Sequence, residues 1–281
     1  MKGNHAIVIG ASISGLVAAR VLSEHFGRVT VYDRDGLPAS LQNRSGVPQG
    51  RHGHGLLASG FAGLKELLPA LERTLLERGA IPGDVVGDLR WFQHGCYKAK
   101  FQSEFKGILL SRPLLEGTVR EQVQQLPNVT IVDQTHISGL VTDDGGRRVT
   151  GIRIRRNDES LVADADFVVD ASGRSSRAGE WLGELGYPKP SVDSVEIDLA
   201  YTTRTFRRRR TISTATWRPS SAPLRQRHAS ASFWRWKAIA GSCRWAGGLA
   251  IMRRRSRTRI WRSRARSRGP TSTMSSATPN R

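Results

Sequence analysis

The first apolar run, Ala6-Ile7-Val8-Ile9, has the length and composition of a strand buried on both faces. Apolar residues then recur at helical spacing at Leu16, Ala19, Val21 and Leu22, and Val29-Thr30-Val31-Tyr32 reads as a second strand. From Leu56 to Arg78 a helical pattern runs through Leu64, Leu67, Leu68, Leu71 and Leu75, all read as core, with Pro69 splitting or bending it. Ser111-Arg112-Pro113 is a helix start, a cap followed by proline in the first turn, and the helix continues through Leu114, Leu115, Val119 and Val123. Val129–Val132 is a strand, and Asp143-Asp144-Gly145-Gly146 is the turn of a meander between Ser138–Thr142 and Val149–Arg155. Phe167-Val168-Val169 is another buried strand, and Trp181, Leu182 and Leu185 mark a short helix after it. The segment Trp91–Lys106 reads as irregular or as antiparallel strand. Its aromatics Trp91, Phe92, Tyr97, Phe101 and Phe105 are expected to pack, a substrate pocket being the alternative.

Between the first two strands lies a spacing that carries chemistry. Gly10, Ser12 and Gly15 follow the first strand at the intervals of the dinucleotide fingerprint G-x-G-x-x-G, and Asp33 closes the second strand. Gly10 allows a sharp turn out of the strand, a small residue at 12 lets backbone approach a pyrophosphate, and Gly15 lets helix and strand pack closely. The helix start supplies aligned N–H groups and a positive dipole end, and Asp33 is placed to accept from a ribose diol. Ser12 stands where glycine is usual; serine is small enough to be tolerated. An ordinary βαβ unit with a glycine turn is the alternative. A loop rich in Gly, Pro, Ser and Asn follows from Gly36 to Gly55, and its Arg44, Arg51, His52 and His54 suit either a phosphate and a ring cofactor or simple solvation.

The formal net charge of +20 suggests nucleic acid or a membrane surface, but it is not evenly spread. Residues 1–200 hold 23 Lys+Arg and all 24 Asp+Glu, whereas residues 201–281 hold 20 Arg, one Lys and no acid. The charge therefore describes the tail alone. Two distant cysteines, Cys96 and Cys243, argue against a disulfide framework or a zinc site, so no metal is expected. The strand pattern starts almost at Met1, leaving no targeting segment in view, and no apolar run approaches membrane-span length, so a cytoplasmic location is expected.

Four stretches together resemble a known family: Gly10–Gly15 with Asp33-Arg34, RSGVPQGRHGHGL (Arg44–Leu56), SRPLLEGTVR (Ser111–Arg120) and VVDASGRSS (Val168–Ser176). Residues 2–206 are similar to the single-component FAD-dependent monooxygenases, nearest to the polyether epoxidases, with squalene epoxidase and the aromatic hydroxylases further off. The resemblance implies an α/β fold: a Rossmann-like FAD-binding domain of the glutathione-reductase type with an antiparallel meander, spanning residues 1–206. It implies that Gly10, Ser12 and Gly15 surround the FAD pyrophosphate and that Asp33, with Arg34 beside it, holds the adenosine ribose. It places Arg44, Gln49, Arg51 and His52 near the phosphates and the flavin, and Arg112 on the flavin side. Asp170 and Gly173 fall in a stretch associated with FAD and the approach of NAD(P)H. The implied reaction is NAD(P)H reduction of the flavin, addition of dioxygen to give a flavin hydroperoxide, and oxygen transfer to a small apolar or aromatic substrate. No catalytic side chain is singled out. A dehydrogenase or reductase on the same fold is the alternative.

Residues 207–281 do not match and read as an irregular basic tail, with no sustained helical or alternating period. The family continues with a substrate-binding sheet and a Gly-Asp stretch contacting FAD, and neither has a counterpart in a segment without Asp or Glu. Three readings stay open: a basic arm with interleaved aromatics for nucleic acid, a disordered extension, or an out-of-frame translation of GC-rich DNA. Arginine without lysine or acid favours the last, and a nucleic-acid partner is expected only if the tail is genuine. On this reading the chain binds FAD weakly or not at all and is prone to aggregate.

Overall fold

The computed structural model describes residues 1–88, 92–93, 96–156, 159–188, 190–195, 199–202, 205–206, 231–235 and 247–254. In chain order the first elements are β1 (Gly3–Ile9), α1 (Ile13–Leu22), β2 (Phe26–Tyr32), β3 (His54–Leu56), α2 (Ala58–Leu67), α3 (Leu71–Glu77) and β4 (Ile81–Asp84). Then come β5 (Phe92–Gln93), β6 (Cys96–Tyr97), β7 (Lys106–Leu110), α4 (Arg112–Gln124), β8 (Val129–Val132), β9 (His136–Thr142) and β10 (Val149–Arg156). The series closes with β11 (Glu159–Asp164), β12 (Phe167–Asp170), α5 (Ala178–Glu184), β13 (Leu199–Thr202), β14 (Thr205–Phe206), β15 (Ala231–Arg235) and β16 (Gly247–Arg254).

The central sheet is parallel, in the order β12-β1-β2-β8. Because β1 lies inside it, both faces of that strand must be covered, which explains its unbroken apolar run. Side chains alternate across a strand, and here the alternation divides the interior into two clusters. Ala6 and Val8 join Leu16, Ala19, Val29, Val31 and the α4 residues Leu115 and Val119 on the helical side. Ile7 and Ile9 join Ile137, Ile152, Ile154 and Trp181 on the other, under the three-stranded antiparallel sheet β11-β10-β9 and α5. The helical pattern of residues 56–78 is broken by Pro69 as expected, into α2 and α3, and Leu64, Leu68, Leu71 and Leu75 are buried. Ser111 caps α4 by accepting from the Leu114 N–H at 3.2 Å.

Three sequence expectations need correction. Val21 sits on the outer side of α1, 37% exposed, so the core stripe of that helix is Leu16, Ala19 and Leu22. Phe101 and Phe105 of the 91–106 segment do not pack into the core, being 62% and 63% exposed, and Tyr97 is 46% exposed. Residues 101–105 form a loop pinned through Ser103, whose N–H and hydroxyl donate to the buried Asp84 carboxylate, so the aromatic rings are left outside the fold. Trp91 and the side chain of Phe92 lie outside the described residues. The tail is not wholly irregular either: β15 pairs with β16, and β16 also pairs with β13 and β14, across the expected division at residue 206. The short apolar runs Ala231–Trp234 and Gly247–Met252 are enough to make strands without an alternating period around them. The rest of residues 207–281 lies outside the described residues. Among the described residues, no helix is long and apolar enough to cross a membrane.

The closest approach in the fold is at Gly15. A Cβ there would meet the Gly10 carbonyl oxygen at 1.8 Å, against backbone that cannot swing aside. Gly15→Ala is therefore expected to destabilise the chain by about 3 kcal/mol, read as a lowered denaturant midpoint. An unchanged midpoint would show that α1 can move away from β1 freely.

Candidate dinucleotide site

The site is built where β1 ends. Gly10 has φ +102, in the region favouring glycine, and a Cβ on it would meet the Ala171 carbonyl oxygen at 2.6 Å. The chain thus turns out of the sheet against the 171–172 segment that follows β12, and α1 begins after its N-cap residue, Ser12. The helix has no acidic residue in its first turn, so its positive end is not offset from within.

Asp33 follows β2 and is buried, 6% exposed. Its Oδ2 accepts from the Ala11 N–H at 2.7 Å, and its Oδ1 accepts from the Asp35 N–H at 2.9 Å, which ties the end of β2 to the glycine turn. Arg44 reaches in from the 36–55 loop. Its Nη1 lies 3.3 Å from Asp33 Oδ1 and 2.8 Å from Asp35 Oδ2, and its Nε donates to Glu116 Oε1 at 2.7 Å. Burial works against the charge on Arg44, but the hydrogen bond to Glu116 and the charges of Glu116 and Asp33 outweigh it and hold its pKa above the ordinary arginine value. Arg112, at the start of α4, donates from Nη2 to the Ser12 hydroxyl at 2.8 Å, and the Ser12 hydroxyl donates to Glu116 Oε2 at 2.8 Å.

Gly10, Ser12, Asp33, Arg34 and Arg44 border one open cleft, which Tyr32, His136, Ile137, Ser172 and Trp181 also line. Arg44 and Arg112, with Asn43, Gly50 and Arg120, border a narrower second cleft. The structure therefore brings Gly10, Ser12, Gly15, Asp33, Arg44 and Arg112 together, with Arg34 exposed at the rim. The others are set apart. Gln49 and Arg51 are exposed on the short turn Pro48–Arg51, and only Gly50 between them borders a cleft. His52 lies next along the chain and its carbonyl faces His54 Nδ1 at 2.9 Å; burial, helped by Arg112, lowers the His54 pKa. Asp170 turns to its own loop, accepting from the Ser172 N–H at 2.9 Å and from the Ser176 hydroxyl at 2.5 Å, and Gly173 supplies the φ +70 that this loop requires.

Two carboxylates of the site escape sequence reasoning. Asp35, two residues beyond the fingerprint carboxylate, accepts from Arg44 and from the Gly46 N–H at 2.7 Å, and so holds the loop down. Glu116 is 5% exposed and joins Ser12, Arg44 and Arg112. Its only sequence signal is the i,i+4 spacing from Arg112, which is also that of ordinary surface pairs.

No family model matches the chain. In an alignment 224 positions long, which covers 73% of this chain and 45% of the other, it is 38% identical to Protein Rv3254 of Mycobacterium tuberculosis. PqsL of Pseudomonas aeruginosa, solved with 2-aminobenzoylacetate, is similar over 90% of this chain and 61% of its own, with a TM-score of 0.61 and 17% identity. PnpA, the p-nitrophenol 4-monooxygenase of Pseudomonas putida DLL-E4, is similar over 73% of this chain and 46% of its own, with a TM-score of 0.50 and 18% identity. The chain thus covers less than two thirds of each of these three proteins. These likenesses establish a fold shared with FAD-dependent monooxygenases.

Arg44 is the cation that bridges Asp33, Asp35 and Glu116. Arg44→Ala is expected to cost about 3 kcal/mol of stability, because it leaves Asp33, Asp35 and Glu116 facing one another without it. Chemical denaturation at neutral pH measures this, and a loss below about 0.5 kcal/mol, typical of a surface site, would show that the network is not closed as described.

Proposed function

We propose that the chain carries the nucleotide-binding half of an FAD-dependent monooxygenase, with NAD(P)H as reductant and dioxygen as co-substrate. The observation that carries this reading is the join of Gly10, the start of α1 and Asp33 at one edge of the open cleft. The residues fit the cofactor. Gly10 makes the tight turn against Ala171 and Gly15 the close packing of α1 on that turn, neither leaving room for a Cβ, as the fingerprint requires, and the first N–H groups of α1 have no carbonyl of their own helix to bond. The fold shared with PqsL and PnpA supports the same reading.

Bound flavin would supply the redox chemistry, activating dioxygen for transfer to the substrate. The protein's part is binding and orientation. The α1 N-terminus and Arg44 would neutralise the two phosphates, Asp33 would accept from the adenosine ribose, and Arg112 would face the flavin side. Asp33 already holds the Ala11 N–H, so a ribose hydroxyl would replace its longer contacts with Arg44 rather than this short one. Gln49, Arg51, His52, Asp170 and Gly173 remain proposed contacts of the wider site. The substrate class proposed is a small apolar or aromatic molecule, in line with the aromatic ligand named for PqsL.

We also read residues 207–281 as out of frame, supported by the absence of any Asp or Glu there. The Gly-Asp contact to FAD would then be missing and affinity reduced, so FAD is expected in less than one copy per purified chain. Titrating the full chain with FAD, followed by flavin fluorescence, is expected to saturate with a Kd of roughly 1–100 μM, and Asp33→Ala to weaken it about tenfold. No saturation, or equal affinity in the variant, would overturn the reading.

A further inference from the structure

A serine at a helix N-cap ordinarily turns its hydroxyl back onto the N–H of the second or third helical residue. Ser12 does not: it is the N-cap of α1, it makes no capping hydrogen bond, and its hydroxyl points to α4. There it donates to Glu116 Oε2 at 2.8 Å and accepts from Arg112 Nη2 at 2.8 Å. Both partners come from a helix a hundred residues further along the chain. The carboxylate that draws it is 5% exposed and is held in turn by Arg44 Nε at 2.7 Å.

We propose that Glu116 is a positioning residue of the dinucleotide site: it holds the Ser12 hydroxyl off the end of α1, so that the first helical N–H groups are left for a phosphate. The inference rests on the dinucleotide reading above and deepens it. It assigns a purpose to the one departure from the glycine fingerprint. A serine at this position is a competitor for the N–H groups a phosphate needs, unless something stronger occupies it. The carboxylate accepts from the hydroxyl in a charge-assisted hydrogen bond, and Arg112 Nη2 fills one of the hydroxyl oxygen's two lone pairs, which together hold the oxygen toward α4 and away from the N–H groups of α1. Glu116 acts through Ser12 and does not touch the cofactor itself.

The consequence is a coupling between two substitutions. Glu116→Ala removes both the hydroxyl's acceptor and the carboxylate that pairs with Arg112 beside it, so the hydroxyl can turn to cap its own helix, and phosphate affinity falls. Adding Ser12→Gly removes the competitor and restores it. A residue that merely stabilised the fold would not be rescued by a second cavity-making, flexibility-adding change.

The test is a set of titrations of the full chain with FAD and, separately, with inorganic pyrophosphate, for wild type, S12G, E116A and E116A/S12G. E116A is expected to weaken binding about tenfold, and E116A/S12G to return to within about threefold of S12G. E116Q, which keeps an acceptor for the hydroxyl, should fall between wild type and E116A, and replaces E116A in the cycle if circular dichroism shows that E116A does not fold. Wild-type affinity in E116A, or a double variant no tighter than E116A, overturns the proposal. If wild type takes pyrophosphate but not FAD, the flavin reading fails, and the pyrophosphate cycle alone decides the role of Glu116. If it takes neither, both fall.

Discussion

The fold turns on how closely α1 can lie against the end of β1. With 1.8 Å between the Gly10 carbonyl and the place where a Gly15 side chain would begin, only glycine permits the contact. That contact holds α1 against the end of β1, where Ser12 bonds to Glu116 and Arg112 of α4. It also leaves the Ala11 N–H facing Asp33, so the carboxylate is positioned by the turn it serves. Move the helix outward by the width of a methyl group and each of these relations is lost together.

Around that join the charges are arranged in a ring. Asp33 and Asp35 follow β2, Glu116 comes from α4, and Arg44 enters from a loop to lie between all three. Buried charges are tolerated only when paired and hydrogen-bonded, and the pairing has a structural consequence. The 36–55 loop has no regular structure before its short turn at Pro48, yet it is fastened to the βαβ unit by Arg44 and by the Gly46 N–H on Asp35. A ligand carrying two phosphates would enter a site where positive groups are already ordered, at the cost of exchanging some of their carboxylate partners.

Much of this was legible in the sequence because the determinants are local. The continuous run 6–9 requires a strand covered on both sides, Pro69 cannot lie inside a helix, Ser111 before Arg112-Pro113 caps one, and Asp143–Gly146 closes a hairpin. What stayed hidden is non-local. The β3-β7-β4 sheet joins strands of three to five residues from distant parts of the chain, too short to show a period. Glu116 looks like a solvated helix position until α1 is packed against α4. The aromatics at 101 and 105 read as core by composition, but the loop anchored on Asp84 carries them outward. Gln49 and Arg51, which the family resemblance places near the phosphates and the flavin, are exposed on a turn whose Gly50 borders the narrower cleft.

The central claim is that the β1–α1 turn and Asp33 together hold the two-phosphate bridge and its adjoining ribose. A crystal structure of the full chain grown with FAD measures this directly. The account predicts phosphate oxygens within about 3 Å of the N–H groups that open α1, and a ribose hydroxyl on the Asp33 carboxylate. Nucleotide bound elsewhere, with Asp33 still engaged only by Ala11, Asp35 and Arg44, would contradict it.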